Sequence, residues 1–106
     1  MRTAFSSLAL VLISVVALPA VAQQSASTLH ARGLAATCAN CHGTDGRTTL
    51  GSAVPSLAGM PRDYMLKQLA AFRDGSRPAT VMHQLAKGLT EQQIDSVASY
   101  FATLKP

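Results

Sequence analysis

Cys38-Ala39-Asn40-Cys41-His42 decides how this chain is to be read. C-x-x-C-H is the pattern by which a c-type haem is attached. Two residues between the cysteines let both sulfurs form thioethers with the two vinyl groups of one porphyrin. The histidine that follows at once delivers its imidazole to the iron on that same face. No other cysteine in the chain competes for the role. Three other readings of this run compete with haem attachment. A zinc site needs four ligands, and this run supplies three, leaving His30 or His83 to complete it. A thioredoxin-like dithiol belongs among alternating strands and helices, and almost no strand pattern exists here. A disulfide between residues so close in sequence closes a tiny loop and stabilises little. One haem c, covalent through Cys38 and Cys41, is the expected cofactor.

Working outward, Thr28 to Thr37 reads as a short helix entering the motif, with Ser27 or Thr28 as its N-cap and Ala31, Leu34 and Ala35 on one face. From Gly43 to Gly59 the composition turns to Gly, Thr, Ser, Asp and Pro, a loop long enough to have a purpose. It would wrap the haem edge, with Val54, Pro55 and Leu57 as its apolar contacts. Pro61 opens the next helix as its first residue, Tyr64, Met65, Leu66, Leu69 and Phe72 give it an apolar pattern, and Gly75 stops it. Val81 to Lys87 forms a short helix ending at Gly88. The last helix has the clearest signals: Thr90 and Gln93 make a capping box, and Ile94, Val97, Ala98, Phe101 and Leu104 make one stripe. The expected class is all-α, about four short helices wrapped around one covalently bound haem.

The N-terminus reads separately. Met1-Arg2 gives a positive start, Phe5 to Leu18 is apolar, and Ala20-Val21-Ala22 offers small residues for signal peptidase. Residues 1–22 are expected to be a cleaved signal peptide and residues 23–106 one monohaem domain, periplasmic and without a stable membrane span after cleavage. Loss of Arg2 takes the net charge one unit below the full chain's +4, and two ionised propionates would bring it to about +1. Basic residues are scattered, without the clustering or aromatic interleaving of a phosphate-tracking surface, so nucleic acid is excluded as a partner.

Four segments together resemble the class I c-type cytochromes. Gly33 to Gly46 (GLAATCANCHGTDG) is similar to their attachment region, and Val54 to Gly59 (VPSLAG) to the proline segment that follows. Tyr64 to Gly75 (YMLKQLAAFRDG) resembles the middle helix of single domains of dihaem cytochromes. Thr80 to Gly88 (TVMHQLAKG) looks like the distal-ligand segment of the cytochrome subunit of flavocytochrome c sulfide dehydrogenase. The resemblance implies the cytochrome c fold, with thioethers at Cys38 and Cys41 and His42 as proximal ligand. It implies Pro55 as the residue whose carbonyl accepts the other imidazole N–H, and Met82 as distal ligand. Where many members have Gly in the first helix at its crossing with the last, this chain has Ala31 by register, facing Tyr100 or Phe101.

Met60 and Met65 lie in or beside an apolar helix, where methionine fills core. His83 is the rival to Met82, and adjacent residues on a helix point apart, so only one can face the iron. Met/His ligation raises the reduction potential relative to two imidazoles and leaves no open coordination position. No nucleophile–base pair, Gly-rich phosphate cradle or paired carboxylates stand out. The chain therefore reads as a one-electron transfer protein, or the cytochrome subunit of an oxidoreductase, rather than a catalyst alone. Its partners are redox proteins. The sulfide dehydrogenase resemblance implies a sulfide-oxidising flavoprotein subunit; the alternatives are a free soluble carrier to a terminal oxidase or reductase, or a five-coordinate haem protein that binds ligands. Gln68, Arg73 and Arg77 are candidates to contact the propionates.

Overall fold

The structure, a computed structural model, describes residues 20–106, with side chains from residue 26 onward. It is helical, with no strand among the described residues. Four α-helices follow in order: α1 over Ala20–His42, α2 over Arg62–Asp74, α3 over Met82–Lys87 and α4 over Glu91–Thr103. A single 3-10 turn, Thr44–Gly46, follows α1 directly. The signal peptide expected over residues 1–22 lies outside the described residues, except for Ala20, Val21 and Ala22, where α1 begins.

The first helix is longer than its expected span of Thr28 to Thr37 and runs through the whole attachment motif to His42. Alanine, the strongest helix former, recurs along it, and Ala35 and Cys38 pack against the core. Packing on that face carries the helix across Thr37 and Asn40, whose intrinsic preferences are weaker. Thr37 turns its hydroxyl back onto the Leu34 carbonyl at 2.8 Å instead of competing for a backbone partner.

The ends of the other helices follow local chemistry. Pro61 is the N-cap of α2 and not its first residue, so the helix begins one place later than expected, and Gly75 closes it in the left-handed conformation. α4 carries both bonds of its capping box: the Gln93 N–H donates to Thr90 Oγ1 at 3.1 Å, and the Thr90 N–H to Gln93 Oε1 at 2.9 Å. Thr90→Ala is expected to cost about 1 kcal/mol, read as a lower denaturation midpoint with an unchanged haem spectrum.

The core is small. Ala35, Met65, Leu69, Ala86, Ile94, Val97, Ala98 and Phe101 form one buried cluster, in which Phe101 is the one large side chain that is fully enclosed. Alanine at three of these places lets the helix backbones come close. On α1 the buried small residue is Ala35, at 3% exposure, while Ala31, expected at the crossing, lies half-buried one turn earlier. Arg62 at the start of α2 bonds Asp95 and Ser99 of α4, and Arg73 near its end bonds Glu91. The two helices therefore run antiparallel.

Candidate haem site

Cys38, Cys41 and His42 occupy positions i, i+3 and i+4 of the last turn of α1, so helical geometry brings them to one face. Cys38 is half-buried against the core, Cys41 is exposed, and neither is in a disulfide. Burial pushes the Cys38 thiol above its ordinary range, with a bond to Thr37 partly offsetting it. That is opposite to the depressed thiol of a reactive redox dithiol. Among the described residues no three His, Cys, Asp or Glu side chains converge as a metal group, so His30 and His83 do not complete a zinc site. α1 ends at Gly43, with φ of +81°, where an added Cβ would lie 1.9 Å from the Arg47 carbonyl oxygen.

His42 is 8% exposed, and its Nδ1 lies 2.6 Å from the Pro55 carbonyl oxygen. A carbonyl only accepts, so Nδ1 carries the proton and donates it. The lone pair is then on Nε2, the form in which imidazole ligates a metal, with its ring orientation held by the second nitrogen.

The Pro55 carbonyl is held in place by a hub that sequence reasoning missed. Ser56 Oγ, the Leu57 N–H and the Ala58 N–H all donate to the Gly46 carbonyl, at 2.8, 2.7 and 3.2 Å. The loop is tied at two further points to the end of α4. The Gly59 N–H donates to the Phe101 carbonyl at 2.9 Å, and Arg47 donates to the Lys105 carbonyl at 2.6 Å. The Phe101 carbonyl, in the last turn of α4, also accepts the Leu104 N–H at 3.2 Å, and Lys105 lies just beyond that helix. The sequence held one clue, the glycine that closes Gly43-Thr44-Asp45-Gly46.

Met82 is the first residue of α3 and lies half-buried against the core. Of the other described methionines, Met65 is buried in the core, while Met60, like Met82, packs on it partly buried. His83 differs from His42 in one respect that matters. Its Nδ1 is enclosed and has no hydrogen-bond partner. A histidine bound to metal through Nε2 places its other N–H on an acceptor, and His83 has none.

The residues present fit a haem. A thin polypeptide core is flanked by exposed Tyr64, Val81 and Leu85, with Val81 and Leu85 on either side of Met82. Apolar side chains of that size cost about 1.5–3 kcal/mol each when left in water instead of buried. A flat apolar body held between His42 and Met82 would cover such surface. Of the expected propionate contacts, Arg73 is paired with Glu91, and Arg77 donates to Gln68.

Comparison with known proteins gives a consistent result. The family model described as cytochrome c matches residues 31–105. The thiosulfate dehydrogenase electron acceptor of Thiomonas intermedia is 42% identical over 72 residues, 68% of this chain and 33% of that protein. The cytochrome subunit of sulfide dehydrogenase from Chlorobaculum tepidum is 44% identical over 71 residues, 67% of this chain and 63% of that one. The solved structure of Acidithiobacillus ferrooxidans cytochrome c4 aligns with a TM-score of 0.67 at 32% identity, over 74% of this chain and 51% of its own. The chain thus spans from a third to under two thirds of these relatives.

Proposed function

Because this chain belongs to the cytochrome c family, we propose that it passes single electrons in the periplasm through one haem c. Cys38 and Cys41 would hold that haem covalently, and His42 and Met82 would be its iron ligands. The observation that carries the reading is the 2.6 Å bond from His42 Nδ1 to the Pro55 carbonyl, which fixes the tautomer and leaves Nε2 for the iron. The haem supplies a one-electron change at its iron; the protein sets the conditions under which it occurs. With His42 and Met82 both bound to the iron, no open position would remain for ligand chemistry. The loop from Gly43 to Met60, tied at Gly46, Phe101 and Lys105, keeps Pro55 in register with His42.

The electron donor belongs to the same proposal. The two relatives are named for thiosulfate dehydrogenase and sulfide dehydrogenase, both oxidising reduced inorganic sulfur. We read this chain as accepting electrons from such a dehydrogenase, with a sulfide-oxidising flavoprotein as the specific candidate. The signal-like N-terminus supports export, and no described helix is long and apolar enough to cross a membrane. A free carrier to a terminal oxidase or reductase is the competing form.

The test is an optical spectrum of protein matured in a host that assembles c-type cytochromes. A haem that stays with the chain through acid–acetone extraction, with the weak far-red band of ferric iron–thioether bonding, is the expected result. Reduction by sulfide in the presence of the candidate flavoprotein, and not without it, would place it in sulfur oxidation. A chain recovered without haem would overturn the whole assignment.

A further inference from the structure

Pro55 sits on the stretch from Arg47 to Gly59, and whatever fixes that stretch decides how firmly His42 is held. From Thr48 to Val54 its hydrogen bonds are all local. The Ser52 N–H donates to the Thr49 carbonyl and the Val54 N–H to Ser52 Oγ, both at 3.1 Å. The stretch is anchored to the rest of the molecule at its two ends, and the same few residues after α4 lie across both.

At the first end, Arg47 Nη2 donates to the Lys105 carbonyl at 2.6 Å, while Nη1 faces the Asp45 carboxylate at 3.8 Å. Separate partners on the two nitrogens fix the plane of the guanidinium, and a charged donor strengthens the bond to the carbonyl. At the second end, the Pro106 ring occupies the place of a side chain on Gly59: an added Cβ would lie 2.6 Å from Pro106 Cγ and 3.2 Å from the Leu104 carbonyl oxygen. Leu104 to Pro106 thus spans the neck of the loop and touches both sides of it. Arg47 is 43% exposed, so burial does little to hold it there and its contribution is geometric.

We propose that Arg47 and Pro106 are positioning residues for His42: through them the segment after α4 clamps the loop neck and keeps the Pro55 carbonyl on Nδ1. This rests on the haem c reading above. An imidazole whose N–H is held by an acceptor is a more basic ligand, and a more basic ligand offsets the extra positive charge of ferric iron. Loosening the neck therefore moves the couple toward ferrous.

The test uses the mature haem protein and four variants: Arg47→Met, Arg47→Lys, Pro106→Gly and, as a control, Arg62→Met, which cuts a tie between α2 and α4 instead. The visible spectrum of the parent is scored first, so a missing haem counts against the haem reading and not against the clamp. Two quantities are then read. One is the exchange rate of the His42 Nδ1–H, by NMR of the ferrous protein. The other is the ferric/ferrous ratio against a fixed redox mediator at about 1 M salt, where a Debye length of about 3 Å screens the lost charge of an exposed arginine. Arg47→Met is expected to speed exchange on the order of tenfold, since exchange follows local opening. It should also shift the ratio about threefold toward ferrous, part of what losing a whole hydrogen bond would give. Pro106→Gly moves both quantities in the same direction. Arg47→Lys keeps a donor for the Lys105 carbonyl and returns most of both. Arg62→Met lowers thermal stability and leaves both as in the parent. Unchanged exchange in Arg47→Met and Pro106→Gly overturns the proposal. So does equal acceleration in Arg62→Met, which would assign the effect to overall stability. A ratio that moves toward ferric at high salt overturns it as well, because Arg47 would then act as a charge and not as a clamp.

Discussion

Met82→Ala is expected to retain the haem, because the thioethers are made by Cys38 and Cys41, and to lose the far-red band in the ferric state. The reduction potential should fall by roughly a hundred millivolts or more, a modest part of the ~0.8 V span that axial ligands command. The ferrous variant should bind carbon monoxide rapidly, whereas the parent protein should not. The sharper part of this expectation concerns His83, which sits next to the lost ligand. Its Nδ1 is enclosed without a partner, so binding iron through Nε2 would leave a buried N–H unsatisfied. Such a group costs about 1–3 kcal/mol. His42 escapes that cost through Pro55. A six-coordinate spectrum in Met82→Ala, resistant to carbon monoxide, would hand the distal position to His83 and reverse this argument.

Gly46→Ala should be the most damaging change away from the haem ligands. Gly46 has φ of +73°, and an added Cβ would lie 2.6 Å and 2.9 Å from two carbons of the Phe101 ring and 3.0 Å from Leu57 Cβ. Phe101 is 1% exposed, so its ring gains no relief toward solvent. The left-handed backbone costs about 1 kcal/mol with a side chain present, and overpacking a closed core adds about 1–3 kcal/mol. The sum, about 2–4 kcal/mol, corresponds to a midpoint lowered by roughly 10–20 °C in a domain of this size. Gly51→Ala isolates the first contribution, because Gly51 has φ of +82° and no neighbour within 4 Å of the added Cβ. Thermal denaturation of the haem-loaded proteins should rank Gly46→Ala well below Gly51→Ala. Equal midpoints would mean that the Phe101 contact is soft and that backbone strain alone sets both.

The same contact explains why the loop matters to the site. Phe101 supports Gly46 from below, the Gly46 carbonyl gathers Ser56, Leu57 and Ala58, and this fixes the carbonyl of Pro55 beside His42. A cavity of about 190 Å³ lies beside this contact, lined by Ala35, Ala39, Asp45 and Tyr100 among others. Disturbing Gly46 should therefore also loosen the imidazole, and Gly46→Ala is expected to broaden the haem transitions before it unfolds the chain.

Much was legible in the residues by themselves, wherever the governing physics acts within a turn or two. The C-x-x-C-H pattern identifies Cys38, Cys41 and His42 as a haem-attachment set before any conformation is known. Thr90 and Gln93 satisfy each other's backbone through bonds between near neighbours, and Gly75 ends α2 by taking the left-handed conformation. The apolar stripe of α4 predicts its buried face, and Ile94, Val97, Ala98 and Phe101 are all buried. Tertiary structure decided what depends on partners distant in sequence. It extended α1 to His42, because packing of Ala35 and Cys38 outweighed weak local propensity. It chose Ala35 over Ala31 as the buried small residue, a one-turn difference that a helical pattern containing alanine at both places does not resolve. It made Gly46 the hub of the loop, since the donors that reach a carbonyl are invisible until residues ten positions away fold back upon it. It also separated Arg73 from Arg77 and His42 from His83, pairs alike in type and exposed to different neighbours. Side-chain chemistry names what a residue can do, and only the fold determines which donor, acceptor or charge is there to meet it.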